Sequence, residues 1–386
     1  MGFLCLLQLA LAVATLAVGS GAAVVTNSSC PCPGYCTGPD AALPAGEGPP
    51  PGLITVSPVP GAANCTTIMG AIALTRFDYR DRYTIEVAPG TYREKVVVAA
   101  NRPPITLRGL GGAAADDDGV LITWTDRDGV ASSTDPVGEW FDQTLWVGAP
   151  DFRLENISVA GCNAADCPAG GRNLALQVAA DRAYFSRSRF YGWSSDTLFH
   201  GATDHRAYFA DCFINGTYDF IWGAGSAVFE RCRIEGSDNI FAHKGTSRDR
   251  DGRAGGCDNA GSGGAPARHS CTACLVLDSR VTRPPGFARN TTTLGRAWRG
   301  RATVVYRNTW LDSHIAVDGW LVRGRLGDYT NVTFAEANTT GPGARRPRAA
   351  PGAVLTGAAA AAWTREAVLG RWDPLVPGQE PQEPYM

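Results

Sequence analysis

The chain has 386 residues, 44% of them hydrophobic and 19% charged, and its 35 basic and 37 acidic residues leave a formal net charge of −2. That balance excludes the basic footprint of a nucleic-acid-binding protein, and the apolar content excludes wholesale disorder. The 46 glycines follow no Gly-X-Y period, which excludes collagen and leaves a loop-rich or β-rich fold.

From the N-terminus, residues 3–18 (FLCLLQLALAVATLAV) form an apolar run followed by Gly19, Ser20, Gly21, Ala22 and Ala23. This pattern reads as the h-region and cleavage zone of a secretory signal peptide, expected over 1–23. A run of about 16 apolar residues is short for a membrane span. No later segment is apolar enough to cross a bilayer, so the mature chain is expected outside the cell with no membrane partner. Residues 24–52, rich in Pro, Gly and Cys, read as a linker, 53–375 as one domain and 376–386 as a tail. Cys5 leaves with the signal, and most of the other eleven cysteines should pair in an oxidising compartment. Seven N-x-[ST] sequons, at Asn27, Asn64, Asn156, Asn215, Asn290, Asn331 and Asn338, fit a secreted glycoprotein, with Asn156 set inside a strand pattern.

From Leu53 onward short β-type runs recur between turn residues, among them YTIEVAPG, KVVVAA, PITLRGLGG, VLITW and TLWVG. Helical periodicity is confined to Thr67–Leu74 and the Ala-rich stretch 354–370. Between them lies a repeat: DFRLENISVAG (151–161), RAYFSRSRFYG (182–192), RAYFADCFING (206–216) and SAVFERCRIEG (226–236) share one eleven-residue template. Leu154, Phe185, Phe209 and Phe229 fill one slot, Val159, Phe190, Ile214 and Ile234 another, and each copy ends in Gly. Looser copies follow around Val276–Val281 and Val305–Trp310. A β-rich repeat with variable insertions predicts an all-β, single-stranded right-handed parallel β-helix with short terminal helices. Hairpin turn signals, which a propeller or sandwich would need, are scarce. Cys212 and Cys232 fall in one slot of consecutive copies, and stacked strands about 4.8 Å apart suit a disulfide, so a coil-to-coil bridge is expected.

Among candidate sites, Cys257, His269, Cys271 and Cys274 have the residue types of a zinc site, but their secreted, Gly-rich setting favours a disulfide-tied loop. No metal or organic cofactor is expected. Asp196 follows the Phe185 slot by eleven residues and Asp219 follows the Phe209 slot by ten. In a stacked coil both carboxyls then face one side on neighbouring turns, an arrangement that splits their pKa values into one base or nucleophile and one proton donor. Trp193, Phe199, Tyr218, Phe220 and Trp222 surround them, as a groove that packs sugar rings would require.

GTYREKV (90–96), SDTLF (195–199), GTYDFIWG (216–223), LGRAW (294–298) and DGW (318–320) resemble, in order and spacing, the signature blocks of the plant pectin methylesterases. The resemblance runs from about Leu53 to Trp372. It implies a right-handed parallel β-helix acting on methyl-esterified pectin, here as a monomer in the cell wall. Carried over by position, Asp219 is the nucleophile, Asp196 the general acid/base and Arg296 the residue that orients Asp219. Trp298 and Trp320 would line the sugar cleft beside Tyr218. The sequence departs from the family at two positions where it usually has oxyanion-stabilising glutamines, which here are Arg172 and Ser195. Losing one such donor can cost about 10²–10³ in rate. Asn173 or Gln177 could stand in if the strand shifts by a residue. The departures keep open a weakened, pectin-binding homologue. The acidic run Asp116–Asp118 would suit a calcium-dependent lyase only if it were not a solvated Gly/Ala loop.

Overall fold

In the computed structural model, residues 52–79, 81–111, 119–125, 143–161, 174–192, 196–201, 205–245, 272–321 and 331–376 are described. The signal, the linker up to residue 51, Asp116–Asp118, Cys162, Cys167, Arg172, Asn173, Trp193, Ser195 and the Cys257–Cys271 segment lie outside them.

The strands are short because each covers one side of a coil and then turns. Among the described residues they form three sheets of eleven, eight and seven strands, and every pairing is parallel between successive coils. The fold is the right-handed parallel β-helix that the repeat predicts. Its register reproduces the two slots: Leu154, Phe185, Phe209 and Phe229 pair in one column, and Val159, Phe190, Ile214 and Ile234 in another. In the following coils Val276 and Val281 continue the columns. Beyond these the slots pass to Tyr306 and Leu311, one residue along from the Val305 and Trp310 of the looser sequence match.

The core fills the coil interior, and its aromatic rings measure the rise. Phe185 stacks on Phe209 at 4.6 Å and Phe209 on Phe229 at 4.7 Å, each pair within 9° of parallel, which matches the spacing of hydrogen-bonded strands. All three are fully buried, and removing each from water contributes about 1.5–3 kcal/mol. Two of the repeat-closing glycines are required by space. A Cβ on Gly192 would lie 1.8 Å from Thr197 Oγ1, and one on Gly216 would lie 2.3 Å from Phe220 Cβ.

Helix Ile68–Leu74 closes one end of the coil. Thr67 caps it by accepting from Gly70 N–H at 3.0 Å, and the buried Glu94 carboxylate accepts from Ile68 and Met69 N–H at 2.8 and 2.9 Å. A carboxylate suits those orphan donors. The Ala-rich stretch resolves into strand Gly352–Leu355 and helices Gly357–Ala361 and Arg365–Leu369. With Trp363 and Trp372, the last helix covers the outer face of the eleven-stranded sheet, burying Tyr208, Val228 and Leu275 in a second apolar cluster. The outer faces of the other two sheets carry the polar chemistry.

Two sequence expectations need adjusting at the turns between the eleven- and eight-stranded sheets. Asn156 is not within a strand: it sits at φ 56° between strands Arg153–Glu155 and Ser158–Ala160 and donates to Gly109 O at 3.1 Å. Cys212 and Cys232 do stack in consecutive coils, as the adjacent pairing Phe213–Arg233 requires. Both are buried free thiols in this structure. They belong to a ladder with Ser188, Ser279 and Thr309, in which each Oγ or Sγ donates to the carbonyl two residues earlier, from 2.7 Å at Ser279 to 3.5 Å at Cys232.

Candidate active site

The site is built on the seven-stranded sheet and the turn that leads into it from the eight-stranded sheet. Its strands include Leu176–Val178, Leu198–His200, Ile221–Gly223, Asn239–His243 and Thr293–Ala297. Alternation along these strands sends Leu198, Ile221 and Phe241 inward and leaves one outward column: Trp146, Gln177, Phe199, Trp222, Ala242 and Arg296.

Just before this column the register brings Asp196 and Asp219 opposite one another. Leu198 pairs with Ile221, and Thr197 N–H donates to Phe220 O at 3.0 Å. Both carboxyls are buried, at 9% and 7% exposure, so solvent screening between them is weak. Asp219 adopts φ 52°, a left-handed conformation that Asp tolerates better than most residues.

Asp219 is held from three directions. Its N–H donates to Asn239 O at 2.8 Å, and Asn239 Nδ2 donates to its Oδ1 at 2.6 Å. From two coils away, Arg296 Nε donates to both carboxylate oxygens at 3.0 Å, and Nη2 makes its closest contact with Oδ2. Ala242 lies between Arg296 and Trp222 in the column, and its single methyl leaves the guanidinium a path across the coil. Thr293 Oγ1 donates to Asn239 Oδ1 at 2.6 Å, which fixes the amide with its NH₂ toward Asp219. A buried carboxylate bound by a forked guanidinium is fixed in orientation. Burial pushes the neighbouring Tyr218 phenol up, and the Asp219 charge adds to the effect. Asp238 is raised by burial first and by Asp219 second.

Aromatic rings flank the carboxylates. Phe199 stacks on Trp222 at 4.0 Å, Trp222 meets Trp298 edge-on at 5.2 Å, and the Arg296 guanidinium lies 5.9 Å from the Tyr218 ring centre. Trp298 is half-buried and carries Lys244 Nζ 4.9 Å above its ring.

The expectation for Trp320 is overturned. It is 1% exposed, stacks on Phe334 at 4.6 Å and sits edge-on to Tyr306. Gly295 and Gly352 leave room for its indole, since a Cβ on Gly352 would lie 2.4 Å from it. Trp320 is a core residue beneath the site and lines no cleft. Gln177 does reach the outer column. It is fully buried, and neither its Nε2 nor its Oε1 has a hydrogen-bond partner among the described residues. Sequence reasoning missed Asn239, Thr293 and Lys244. Asn239 was within reach, because it follows Gly236 by three residues as Asp219 follows Gly216.

Among the described residues no group of three or more His, Cys, Asp or Glu side chains is placed to hold a metal ion. No helix among them is long and apolar enough to cross a membrane.

A family model described as Pectinesterase matches residues 54–364. Probable pectinesterase 8 of Arabidopsis thaliana is 29% identical over 306 residues, covering 75% of this chain and 68% of the relative. Probable pectinesterase 49 of the same plant is 30% identical over 294 residues, covering 75% and 71%. Among solved structures, a pectin methylesterase from carrot superposes with TM-score 0.64 at 22% identity, covering 82% of this chain and 92% of that one. A pectin methylesterase from Aspergillus niger superposes with TM-score 0.65 at 25% identity, covering 83% and 95%.

Proposed function

The chain belongs to the pectinesterase family and is a carboxylic ester hydrolase; from that premise we propose that it removes methyl groups from galacturonate esters in pectin outside the cell, with Asp219 as nucleophile and Asp196 as general acid/base. The observation that supports this reading best is the pairing of two buried carboxyls on neighbouring coils, with a forked guanidinium clamping Asp219.

Arg296 and Asn239 hold and aim the Asp219 carboxylate. Its oxygen attacks the ester carbonyl carbon, and the carbonyl electrons move to oxygen. The tetrahedral intermediate collapses to an Asp219 anhydride as Asp196 gives its proton to the departing methoxide, which leaves as methanol. Asp196, now a carboxylate, takes a proton from water. The hydroxide attacks the galacturonyl carbonyl, releasing the acid and restoring Asp219. Ester and water become acid and methanol with no other reactant. Trp298, Trp222 and Phe199 form the platform for neighbouring sugars, with Tyr218 at its edge. Gln177 is a described donor available to the oxyanion, since its amide is buried and has no partner among the described residues.

The assay is methanol release from highly methylated pectin with chain length followed in parallel. Asp219→Asn, which keeps the left-handed turn, should lower methanol release by at least about 10⁴-fold with the circular dichroism spectrum unchanged. Retained activity in that variant would remove Asp219 as nucleophile. Wild-type chain that binds pectin without releasing methanol would establish the weakened homologue that Arg172 and Ser195 suggest, and unsaturated oligomers would identify a lyase. In the same assay Gln177→Leu should lower kcat about 10²-fold at unchanged KM. A more stable variant with unchanged kcat would show that the amide is only an unsatisfied core group.

A further inference from the structure

A cavity bounded by described residues lies away from the carboxylates. It is an open groove of about 710 Å³ where the eleven-stranded sheet turns into the eight-stranded one, and it runs across several coils. Five guanidiniums line it, from Arg108, Arg187, Arg189, Arg231 and Arg233, together with the ring of Phe213.

Three of the five are neutralised. Arg108 pairs with Glu155 at 3.0 Å, Arg231 pairs with Asp211 at 2.9 Å and Glu230 at 2.8 Å, and Arg233 pairs with Glu235. Arg187 and Arg189 have no ion-pair partner among the described residues. The reason is geometric: Arg231 takes both oxygens of Asp211, the carboxylate one coil from Arg187, so that charge is already spent. Arg187 is exposed at the turn with φ 47°. Arg189 lies over Phe213 at 5.9 Å, and Arg233 approaches the same ring at 5.2 Å.

Uncompensated guanidiniums beside a half-buried aromatic face match a charged sugar, which offers a carboxylate to the fork and a C–H face to the ring. Because neighbouring coils repeat about every 4.8 Å, a polymer laid along the groove can use several contacts together. The proposed reaction generates such a polymer, since every methyl removed leaves one carboxylate on the chain.

We propose that this groove is a second, non-catalytic binding site for de-esterified homogalacturonan, in which Arg187 and Arg189 hold a uronate carboxylate and Phe213 carries its ring. The inference rests on the pectin reading for the identity of the polymer, not for the existence of the groove. It would keep the chain attached to the product it makes while the cleft takes new ester.

The test uses the full chain and polygalacturonate that carries no methyl ester. Arg187→Asn, which tolerates the left-handed turn, combined with Arg189→Gln, should weaken polygalacturonate binding about tenfold, equivalent to about 1.4 kcal/mol. It should also flatten the dependence of that binding on salt, while methanol release from a short methylated trigalacturonate stays unchanged. Unchanged polygalacturonate affinity overturns the proposal, and so does a parallel fall in activity on the short ester. Equally tight wild-type binding of dextran sulfate, weakened equally by the substitutions, would overturn the assignment to a uronan. Binding is read on a polymer with no ester to cleave, so it reports on the groove even if the chain releases no methanol.

Discussion

Two polar columns run along the turns of the same coils and differ in what their hydrogen bonds are spent on. At the turn between the eleven- and eight-stranded sheets, Ser188, Cys212, Cys232, Ser279 and Thr309 return every donor to backbone carbonyls. Ser279 Oγ reaches Leu277 O at 2.7 Å and accepts from Cys232 N–H at 2.9 Å. That ladder closes on itself and carries no net charge. At the turn into the seven-stranded sheet, Asp196, Asp219, Asn239 and Thr293 occupy a similarly stacked position, but there Thr293 bonds Asn239, and Asn239 and Arg296 bond Asp219. Backbone repetition therefore places a column of polar groups at both turns. Only the one holding buried, mutually oriented charge can do chemistry.

The sharpest way to separate the two columns is Arg296→Lys. It keeps the charge but loses the fork on Asp219, and kcat for methanol release should fall about 10²-fold, equivalent to about 2.7 kcal/mol. The urea midpoint should barely move, and a variant with normal kcat would show that the fork does not orient the nucleophile.

A smaller effect comes from polar groups that neither column satisfies. His200 and His243 point into the coil interior, where burial pushes them down to about 3 and about 4. His243 Nδ1 at least accepts from Thr303 N–H at 3.0 Å, whereas neither His200 nitrogen has a partner among the described residues. Unfolded histidine titrates near 6.5, so between that value and the folded pKa the unfolded state binds more protons. The stability they contribute is present above pH 6.5 and is lost as pH falls toward the folded pKa, by about 2 kcal/mol per histidine on reaching pH 5. His314, pushed down by burial to about 4, shares the effect, so His200→Met should cut the slope of urea stability against pH in that window by about a third. An unchanged slope would place His200 in a solvated environment.

Smaller again is Ser279→Ala, which leaves Cys232 N–H without its acceptor and should cost roughly 1.5 kcal/mol of stability. Methanol release per folded molecule should not change. Loss of kcat in this variant would mean that the two columns are coupled.

The slots, the stacking of Cys212 on Cys232 and the facing of Asp196 toward Asp219 were legible because they depend on spacings of 20–31 residues within one template. The Arg296 clamp was legible only through the resemblance. Legibility fades where insertions break the period: Phe229 and Val276 pair across 47 residues, and one coil later the slots have slipped to Tyr306 and Leu311. Trp320 read as a cleft residue because a Trp beside a site block suits sugar stacking, but its side chain faces the interior, and that direction depends on register. Lys244 belongs to no repeat slot or signature block, and only the fold brings it over Trp298.

By itself, then, the amino-acid sequence determined the coil, its inward columns and the facing of Asp196 toward Asp219, because each follows from a local period of strand and turn. The tertiary structure alone decided that Arg296 reaches Asp219 across two coils, that Asn239 and Thr293 support it, and that the C-terminal helix covers one sheet while a groove lined by Arg187 and Arg189 opens beside another. Those outcomes depend on which segments distant in sequence become neighbours along the coil axis, and no spacing within a single repeat encodes that.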